Sequence, residues 1–202
     1  MYTLAYYVVH FVFSLFGRLK VFDKEKLPEE EGYILACTHT GWVDILWLGI
    51  AIYPTPIHFM AKKELFENGF VRWLITTLNA FPVDRENPGP SSIKIPRKLL
   101  KEDKVVGIFP SGTRTTEDVP LKRGAATIAL HAKAPIVPAA YIGPNNFKEI
   151  FQRKKPRIIF GDPLYIDPSL SRREAQEDLA NRLDHALKQL QLELEEKITK
   201  SK

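Results

Sequence analysis

The chain has 202 residues, of which 45% are hydrophobic and 26% charged, a composition typical of one globular domain and not of a disordered chain. It carries 29 Lys and Arg against 24 Asp and Glu, and this net charge of +5 suits an anionic membrane surface or a phosphorylated substrate without requiring either. The single cysteine, Cys37, excludes an internal disulfide and a cysteine-rich metal site, and it is typical of a reducing compartment.

The N-terminal segment, residues 2–16, is almost entirely apolar or aromatic. As a helix it would extend roughly 22 Å, less than the ~30 Å hydrocarbon core of a bilayer. It lacks the charge and cleavage pattern of a signal peptide. The cations that follow can meet anionic head groups: Arg18, Lys20, Lys24 and Lys26. We predict that residues 1–22 form a membrane-associating helical segment; the alternative is a core helix that caps the domain.

Residues 23–202 are predicted to form a single α/β domain, because short apolar strands alternate with helical segments. Strands of this kind are typical of a mainly parallel central sheet flanked by helices. The predicted strands are 33–38, 57–61, 80–83, 105–109, 136–142 and 156–160. The predicted helices between them are 43–52, 64–77, 91–102 and 124–131. Ser91 or Ser92 is expected to cap the third of these helices.

A final helix is predicted to begin at the capping box Ser171-Arg-Arg-Glu174. Its other polar positions carry charges of both signs, as on a solvated face, and His185 is expected to face solvent. One face is apolar, with Leu179, Leu183, Leu187, Leu190, Leu194 and Ile198. We predict that this face packs on the parent sheet; the alternative is a partner helix.

Polar groups follow four of the predicted strands, where open α/β sheets place their sites. His39 and Asp44 follow the first strand, and Gly41 eases the bend between them. An imidazole held by a carboxylate can act as a general base near neutral pH. Lys62 and the adjacent Lys63 follow the second strand, and the sequence does not separate their roles.

Two further segments supply cations and turn residues. Arg85 follows the third strand, beside Asp84, and a turn of Ser111, Gly112, Thr113 and Arg114 follows the fourth. Arg85, Arg114 and Lys62 can converge on a phosphate, the arginines through bidentate hydrogen bonds. Taken singly, each segment has an ordinary structural explanation as a cap, a solvated loop, an ion pair or a turn. Their occurrence together, each at a strand end, favours one site.

The order of these segments resembles the glycerolipid acyltransferase family, and it is closest to the bacterial branch that acylates 1-acyl-glycerol-3-phosphate. The resemblance extends from about Lys24 to Asp167, and residues 1–22 resemble the membrane anchor of bacterial members. It rests on an HX4D motif and four more segments in the same order: His39-Thr-Gly-Trp-Val-Asp44, Ala-Lys62-Lys-Glu-Leu, Phe-Pro-Val-Asp-Arg85, Phe-Pro-Ser-Gly-Thr-Arg114 and Ile136-Val-Pro138-Ala-Ala.

The resemblance implies a transferase of phospholipid biosynthesis that moves an acyl group from an acyl thioester to a lysophosphatidate, giving phosphatidic acid. The thioester would be carried by acyl carrier protein or coenzyme A. His39 would take the proton of the attacking hydroxyl, and Asp44 would orient the imidazole. Arg114 would hold the substrate phosphate, with Arg85, Lys62 and the turn at Gly112 assisting. Neither a metal nor a further cofactor is implied, because the thioester is already activated.

Ser111 departs from the family, which usually has Glu at this position in Phe-Pro-Glu-Gly-Thr-Arg. The change removes a negative charge beside the groups predicted to bind the substrate phosphate. The sequence therefore specifies the acyl-transfer reaction more closely than it specifies the acceptor lipid. The alternatives are an acyltransferase for another lysophospholipid or lipid acceptor, and a non-catalytic lipid-binding protein of the same fold. The expected location is the cytoplasmic face of the cell membrane, peripheral or monotopic, with an anionic membrane surface and no nucleic acid as partner.

The aromatic residues near the first two motifs have two interpretations. At helical spacing such residues are typical of a core; the alternative is an apolar groove for an acyl chain, opening near His39. Cys37, His58 and His131 are each predicted to be structural. The aromatic residues are Trp42, Trp47, Phe59, Phe66, Phe70 and Trp73.

Overall fold

The computed structural model describes residues 18–38, 41, 43–84, 89–111, 118–152 and 154–200. The strands within these ranges are Lys20–Phe22 (β1), Ile34–Thr38 (β2), Ile57–Lys62 (β3), Phe81–Val83 (β4), Val105–Ser111 (β5), Ile136–Ile142 (β6) and Arg157–Phe160 (β7). The α-helices are Asp44–Ala51 (α1), Gly69–Thr77 (α2), Ser91–Lys101 (α3), Asp118–Ala132 (α4), Phe147–Phe151 (α5) and Arg172–Thr199 (α6). Two short 3-10 helices occupy Lys24–Lys26 and Lys63–Phe66.

The seven described strands form one sheet in the order β1-β7-β6-β2-β5-β3-β4. The strands from β6 to β4 are all parallel, whereas β7 runs antiparallel to β6, and β1 is parallel to β7. The prediction of an α/β fold with a mainly parallel sheet flanked by helices is therefore confirmed. All six predicted strands are present, each within about two residues of its predicted ends.

Strand β1 was not predicted, and it lies inside the segment assigned to the membrane. Lys20–Phe22 pairs with β7 through the register Val21↔Ile158, so the sheet begins before the predicted domain boundary at residue 23. Residues 1–17 of the predicted segment lie outside the described residues. No helix within the described ranges is both long enough and apolar enough to cross a bilayer.

The sheet is buried on both faces. Successive residues of β2 point to opposite faces of the sheet, and residues of both sets are buried. Leu35 and Cys37 belong to the core on the face that α1 covers, together with Trp47. Ile34 and Ala36 belong to the core on the other face, which α3, α4 and α6 cover. Cys37 is 1% exposed, so its prediction as a small core residue is confirmed.

Helix α6 matches its prediction closely. Ser171 Oγ accepts from Glu174 N at 3.4 Å, and Glu174 Oε2 accepts from Ser171 N at 3.0 Å, which completes the capping box. The helix packs on β6, β7 and α4, and Ile198 is half-buried. The buried leucines are Leu179, Leu183, Leu187, Leu190 and Leu194. The parent sheet therefore covers the apolar face, and His185 is exposed as predicted.

Three helix boundaries differ from prediction for local reasons. The predicted helix 64–77 divides at Asn68, whose side chain caps α2 by accepting from the amides of Phe70 and Val71. Helix α4 starts at Asp118 and not at residue 124, because a proline in the first turn removes only an amide that has no helical partner. The predicted serine cap of α3 is wrong: Pro90 is the N-cap residue, and no side chain caps the helix.

Candidate active site

The carboxyl ends of β2, β3, β4 and β5 lie along one edge of the sheet, because these four strands are parallel. Each end leads into one of the four polar segments singled out in the sequence. Strand β2 is central, and the chain passes from one side of it to the other between β5 and β6. Ligands bind at such crossing points in open α/β sheets. The topology therefore directs all four segments to one edge.

The described part of the chain includes three of the predicted site residues: Asp44, Lys62 and the backbone of Ser111. Five others lie outside the described residues: His39, Arg85, Gly112, Thr113 and Arg114. Their roles remain predictions from the sequence and from the strand ends that they follow.

Asp44 is the first residue of α1, and it is only 1% exposed. Its Oδ2 accepts a hydrogen bond from the Gly41 amide at 3.1 Å. The carboxylate lies in the first helical turn, where the helix dipole favours a negative charge. The turn between β2 and α1 is thus closed by the same carboxylate that is predicted to orient His39.

Gly41 is required for space and not for an unusual backbone angle. It has no positive φ, but a Cβ placed on it would lie 2.1 Å from the carbonyl oxygen of Asn145. Asn145 follows β6, so the turn that carries the motif packs directly on the loop after a neighbouring strand. Any side chain at this position would push the two loops apart.

Strand β5 changes its register just before the predicted phosphate-binding turn. Ala36 faces Ile108, whereas Thr38 faces Ser111, so two steps along β2 match three along β5. Pro110 lies in this interval and has no amide hydrogen to donate to the ladder. Such irregularities re-aim the chain, and they are frequent beside active sites. Here the irregularity lies at the last residues of β5, directly before the predicted phosphate-binding turn.

Two buried groups feel the negative charge of Asp44. Burial raises the pKa of Tyr141, and the charge of Asp44 raises it further. Burial also raises the pKa of the Cys37 thiol, again with a contribution from Asp44. A thiol whose pKa is raised is not an activated nucleophile. Buried Cys37 is therefore a core group and not a candidate nucleophile.

The structure separates the two adjacent lysines. Lys63 Nζ lies 2.6 Å from Asp84 Oδ2 and so ties the end of β3 to the end of β4. Lys62 is the last residue of β3, is exposed, and makes no ion pair with any described residue. Lys62 therefore keeps an exposed cation at the end of β3, as its predicted role requires, whereas Lys63 joins two strand ends.

The aromatic residues divide into two groups. Trp47 and Phe59 are 2% and 7% exposed, and the Phe59 ring stacks on Phe109 with centroids 5.8 Å apart. These two are core residues, as predicted. Phe70 and Trp73 are 71% and 58% exposed, so for them the prediction of a core position is wrong. Phe66 is half-buried, and Trp42 lies outside the described residues.

The two histidines predicted to be structural lie away from this edge. His58 is the second residue of β3, and its Nδ1 lies 3.3 Å from the Val105 carbonyl oxygen. Burial lowers the pKa of His58, which favours the neutral ring. His131 is in the last turn of α4, where it contacts the Arg172 guanidinium. Neither histidine is placed to act at the carboxyl edge.

A fifth strand end, that of β6, carries polar groups that the sequence patterns did not single out. The amide of Tyr141 in β6 donates to Thr38 Oγ1 at 3.0 Å, so β6 is joined to the last residue of β2 by a side chain. Beyond it, an open cavity of about 370 Å³ is lined by Tyr141, Asn145, Lys154 and the end of α6. The sequence marks this strand end with the turn-forming residues Gly143-Pro-Asn-Asn146.

Comparisons with known proteins agree with this architecture. A family model described as "Acyltransferase" matches residues 18–142. A 1-acyl-sn-glycerol-3-phosphate acyltransferase of Bacillus subtilis (strain 168) is 53% identical and covers 98% of both chains. One of Streptococcus pneumoniae is 40% identical over 91% of this chain and 70% of the relative.

A solved structure shares the fold. The crystal structure of the 1-acyl-sn-glycerophosphate (LPA) acyltransferase PlsC from Thermotoga maritima superposes with a TM-score of 0.67 at 20% identity, covering 94% of this chain and 79% of that one. The family model spans more than half of the chain, and the 53% identical relative matches nearly all of it. The motifs had predicted the same assignment: the chain belongs to the acyltransferase family.

Proposed function

We propose that this acyltransferase moves a fatty acyl group from an acyl thioester to the free hydroxyl of 1-acyl-glycerol-3-phosphate, forming phosphatidic acid. The observation that carries the proposal is one sheet edge that holds both a buried acid, Asp44, and an exposed cation, Lys62. The chain leads from the same edge into His39, Arg85 and Arg114. Relatives that match most of the chain carry the name of this activity.

In the proposed reaction, the substrate hydroxyl oxygen forms a bond to the thioester carbonyl carbon while His39 takes the hydroxyl proton. The tetrahedral intermediate then collapses, the carbon–sulfur bond breaks, and the leaving thiolate takes the proton from the His39 imidazolium, which restores the neutral base. Asp44 holds the imidazole in the productive tautomer and stabilises the imidazolium. The hydrogen bond from Gly41 fixes this carboxylate in place.

The acceptor phosphate is held by cations that arrive from three strand ends. Arg114 and Arg85 match the bidentate geometry of phosphate oxygens, and Lys62 adds a point charge. The turn of Ser111, Gly112 and Thr113 offers backbone amides to the phosphate or to the oxyanion. An acceptor that ends in a phosphate monoester places its charge among these groups.

We further propose that the apolar part of the predicted segment, residues 2–16, holds the enzyme at the cytoplasmic face of the cell membrane, and that the catalytic domain begins with β1 at Lys20 and not at residue 23. Lys20 and Lys24 are exposed at the start of the described chain, as contact with anionic head groups requires. Acyl carrier protein or coenzyme A serves as donor, and neither a metal nor a further cofactor takes part.

The direct test is an acyl-transfer assay with the purified full-length protein. Lysophosphatidate is compared with lysophosphatidylcholine and lysophosphatidylethanolamine, each with both donors. We expect turnover with lysophosphatidate to exceed that with the other acceptors by about tenfold or more, because only its monoester is fully accessible to the arginines. Equal turnover of all three acceptors would contradict the proposed phosphate binding by the arginines. If no acceptor were turned over, the result would favour the alternative of a non-catalytic lipid-binding protein.

Two substitutions test the assigned roles. His39→Ala should lower kcat by roughly 10²- to 10⁴-fold, the usual contribution of a general base. Arg114→Ala should instead lower kcat/KM for lysophosphatidate by at least about tenfold. His185→Ala, at an exposed position of α6, is the matched control and should leave both parameters unchanged. Full activity of His39→Ala would exclude the mechanism.

A further inference from the structure

Next to the candidate site, four large apolar side chains are exposed to solvent. We call them the α2 patch: Leu65 is 47% exposed, Phe70 71%, Trp73 58% and Leu74 44%. Leu65 belongs to the 3-10 helix Lys63–Phe66, and the other three belong to α2. Single exposed apolar residues are normal in soluble proteins, but a contiguous cluster marks an interaction surface.

Helix α2 has no buried residue, although five of its nine residues are large and apolar. Phe70, Trp73 and Leu74 follow the i, i+3, i+4 spacing that places side chains on one face of a helix. The Phe70 and Trp73 rings lie against one another, with centroids 6.2 Å apart. The helix therefore presents a preformed aromatic face that no described part of the chain covers.

The α2 patch is fixed to the edge of the sheet that carries the site. The 3-10 helix Lys63–Phe66 begins directly at the carboxyl end of β3. The ion pair from Lys63 to Asp84, at 2.6 Å, attaches this helix to the end of β4, one residue before Arg85. Whatever covers the patch therefore lies beside Lys62 and the strand end that leads into Arg85.

The charge on α2 itself suits an anionic surface. Arg72 is exposed and is the only charged residue of α2, and exposed Lys62 precedes the patch. Exposed Glu64 and Glu67 flank Leu65 at the 3-10 helix Lys63–Phe66, so the acidic groups lie at that end of the patch and not on α2. Trp and Phe beside a Lys or Arg are typical of segments in the interfacial layer of a membrane, where the rings enter the acyl boundary and the cation meets head groups.

The area of the patch argues against a second copy of the chain as its occupant. Four side chains exposed to these extents present on the order of 450 Å². A stable interface requires about 800 Å² from each partner. A bilayer has no such minimum, because each inserted side chain contributes independently.

We propose that the α2 patch inserts into the interfacial layer of an anionic lipid bilayer, as a membrane contact separate from residues 1–22. The contact places the carboxyl edge of the sheet at the membrane surface. It rests on the proposed function in one respect, because lysophosphatidate resides in that surface. The acceptor then reaches the site without leaving the bilayer entirely.

A single-thiol labelling experiment tests the contact locally. Cys37 is buried and its pKa is raised, so an added surface cysteine is the reactive thiol of the chain. Thr77→Cys lies one turn after Trp73 on α2, and Leu192→Cys occupies a 55% exposed apolar position on α6. Each full-length variant is labelled with an environment-sensitive fluorophore and mixed with equimolar phosphatidylcholine–phosphatidylglycerol vesicles.

The expected result is a blue shift and an intensity increase at position 77, quenched by lipids brominated in the acyl chain, with no change at position 192. No response at 77, or equal responses at both positions, would overturn the proposal. A response at 77 that depends on protein concentration without vesicles would identify self-association instead. None of these outcomes depends on catalysis.

A second measurement connects the contact to activity. Phe70→Ser combined with Trp73→Ser should lower acyl transfer to lysophosphatidate in vesicles by about tenfold, the loss expected when two partly inserted rings are removed. Transfer in detergent micelles should stay within about twofold, because the micelle delivers the substrate. Leu192→Ser is the matched control. Equal losses in both systems would contradict docking, whereas wild-type protein that is inactive in both vesicles and micelles would contradict only the proposed function.

Discussion

Helices α2 and α6 are both capped at the N-terminus by a polar side chain that accepts hydrogen bonds from backbone amides of the first turn. The N-cap residue is Asn68 for α2 and Ser171 for α6. Both carry an apolar face, and the environments of these faces are opposite. In α6, Leu183 and Leu194 are 0% exposed, whereas in α2 the aromatic side chains are more than half exposed. An apolar helix face predicts that another surface buries it. The sequence pattern does not show whether that surface belongs to the same chain or lies outside it.

The difference follows from the position of each helix on the sheet. Helix α6 has 28 residues and lies along β6, β7 and α4, which provide enough apolar surface to cover it. Helix α2 connects β3 to β4 at the edge of the sheet, and β4 has only three residues. There is little sheet beneath α2, so its apolar face remains available to a surface outside the chain.

The largest effect that the comparison predicts is on stability in α6. Leu183→Ala should lower the free energy of unfolding by about 2–5 kcal/mol, because the removed methyl groups leave a cavity between the helix and the core. Urea denaturation followed by circular dichroism measures the change. Leu192→Ala on the same helix is the control and should stay within about 0.5 kcal/mol. A loss at Leu183 no larger than at Leu192 would contradict the packing of α6.

An intermediate effect is expected at the helix caps. Ser171→Ala removes the capping box and should lower the free energy of unfolding by about 1 kcal/mol. Asn68→Ala removes an equivalent cap from α2, but it should mainly lower the hydrogen-exchange protection of α2, because a helix without buried residues opens locally. Equal losses of global stability for the two variants would show that α2 is coupled to the core.

The smallest effect is expected from the α2 patch. Phe70→Ser and Trp73→Ser should each change the free energy of unfolding in vesicle-free buffer by no more than about 0.5 kcal/mol, because the side chains are already in water. Denaturant unfolding of both variants beside wild type measures this. A loss above about 2 kcal/mol would mean that the folded protein itself covers the rings, and the comparison with α6 would then fail.

Much of the fold was predictable because its local signals agree with its tertiary contacts. The apolar runs located six strands, and the spacing of Leu179 and Leu183 located the buried face of α6. Strand β1 was missed because three residues beside an apolar segment carry no period of their own. The direction of β7 was also out of reach, because an apolar run has the same composition in parallel and antiparallel pairing.

The candidate site was predictable in part for a related reason. Residue types predicted roles for Asp44 and the cations, and the strand ends predicted a shared edge. Among the described residues the structure places Asp44 and Lys62 near that edge, and the roles stay predictions. The sequence did not show that Gly41 is needed to admit the Asn145 backbone, because the two are about a hundred positions apart. Nor did it distinguish Lys62 from Lys63, since the distinction depends on Asp84 at the end of another strand.

The sequence by itself determined the family, the order of the motifs and the positions of most strands, because these follow from residue identity and short-range spacing. Only the tertiary structure decided which apolar faces are covered and which polar groups are already paired. Both depend on neighbours that are distant in the chain: the sheet beneath α6, the narrow edge beneath α2, and the carboxylate that engages Lys63 but leaves Lys62 exposed.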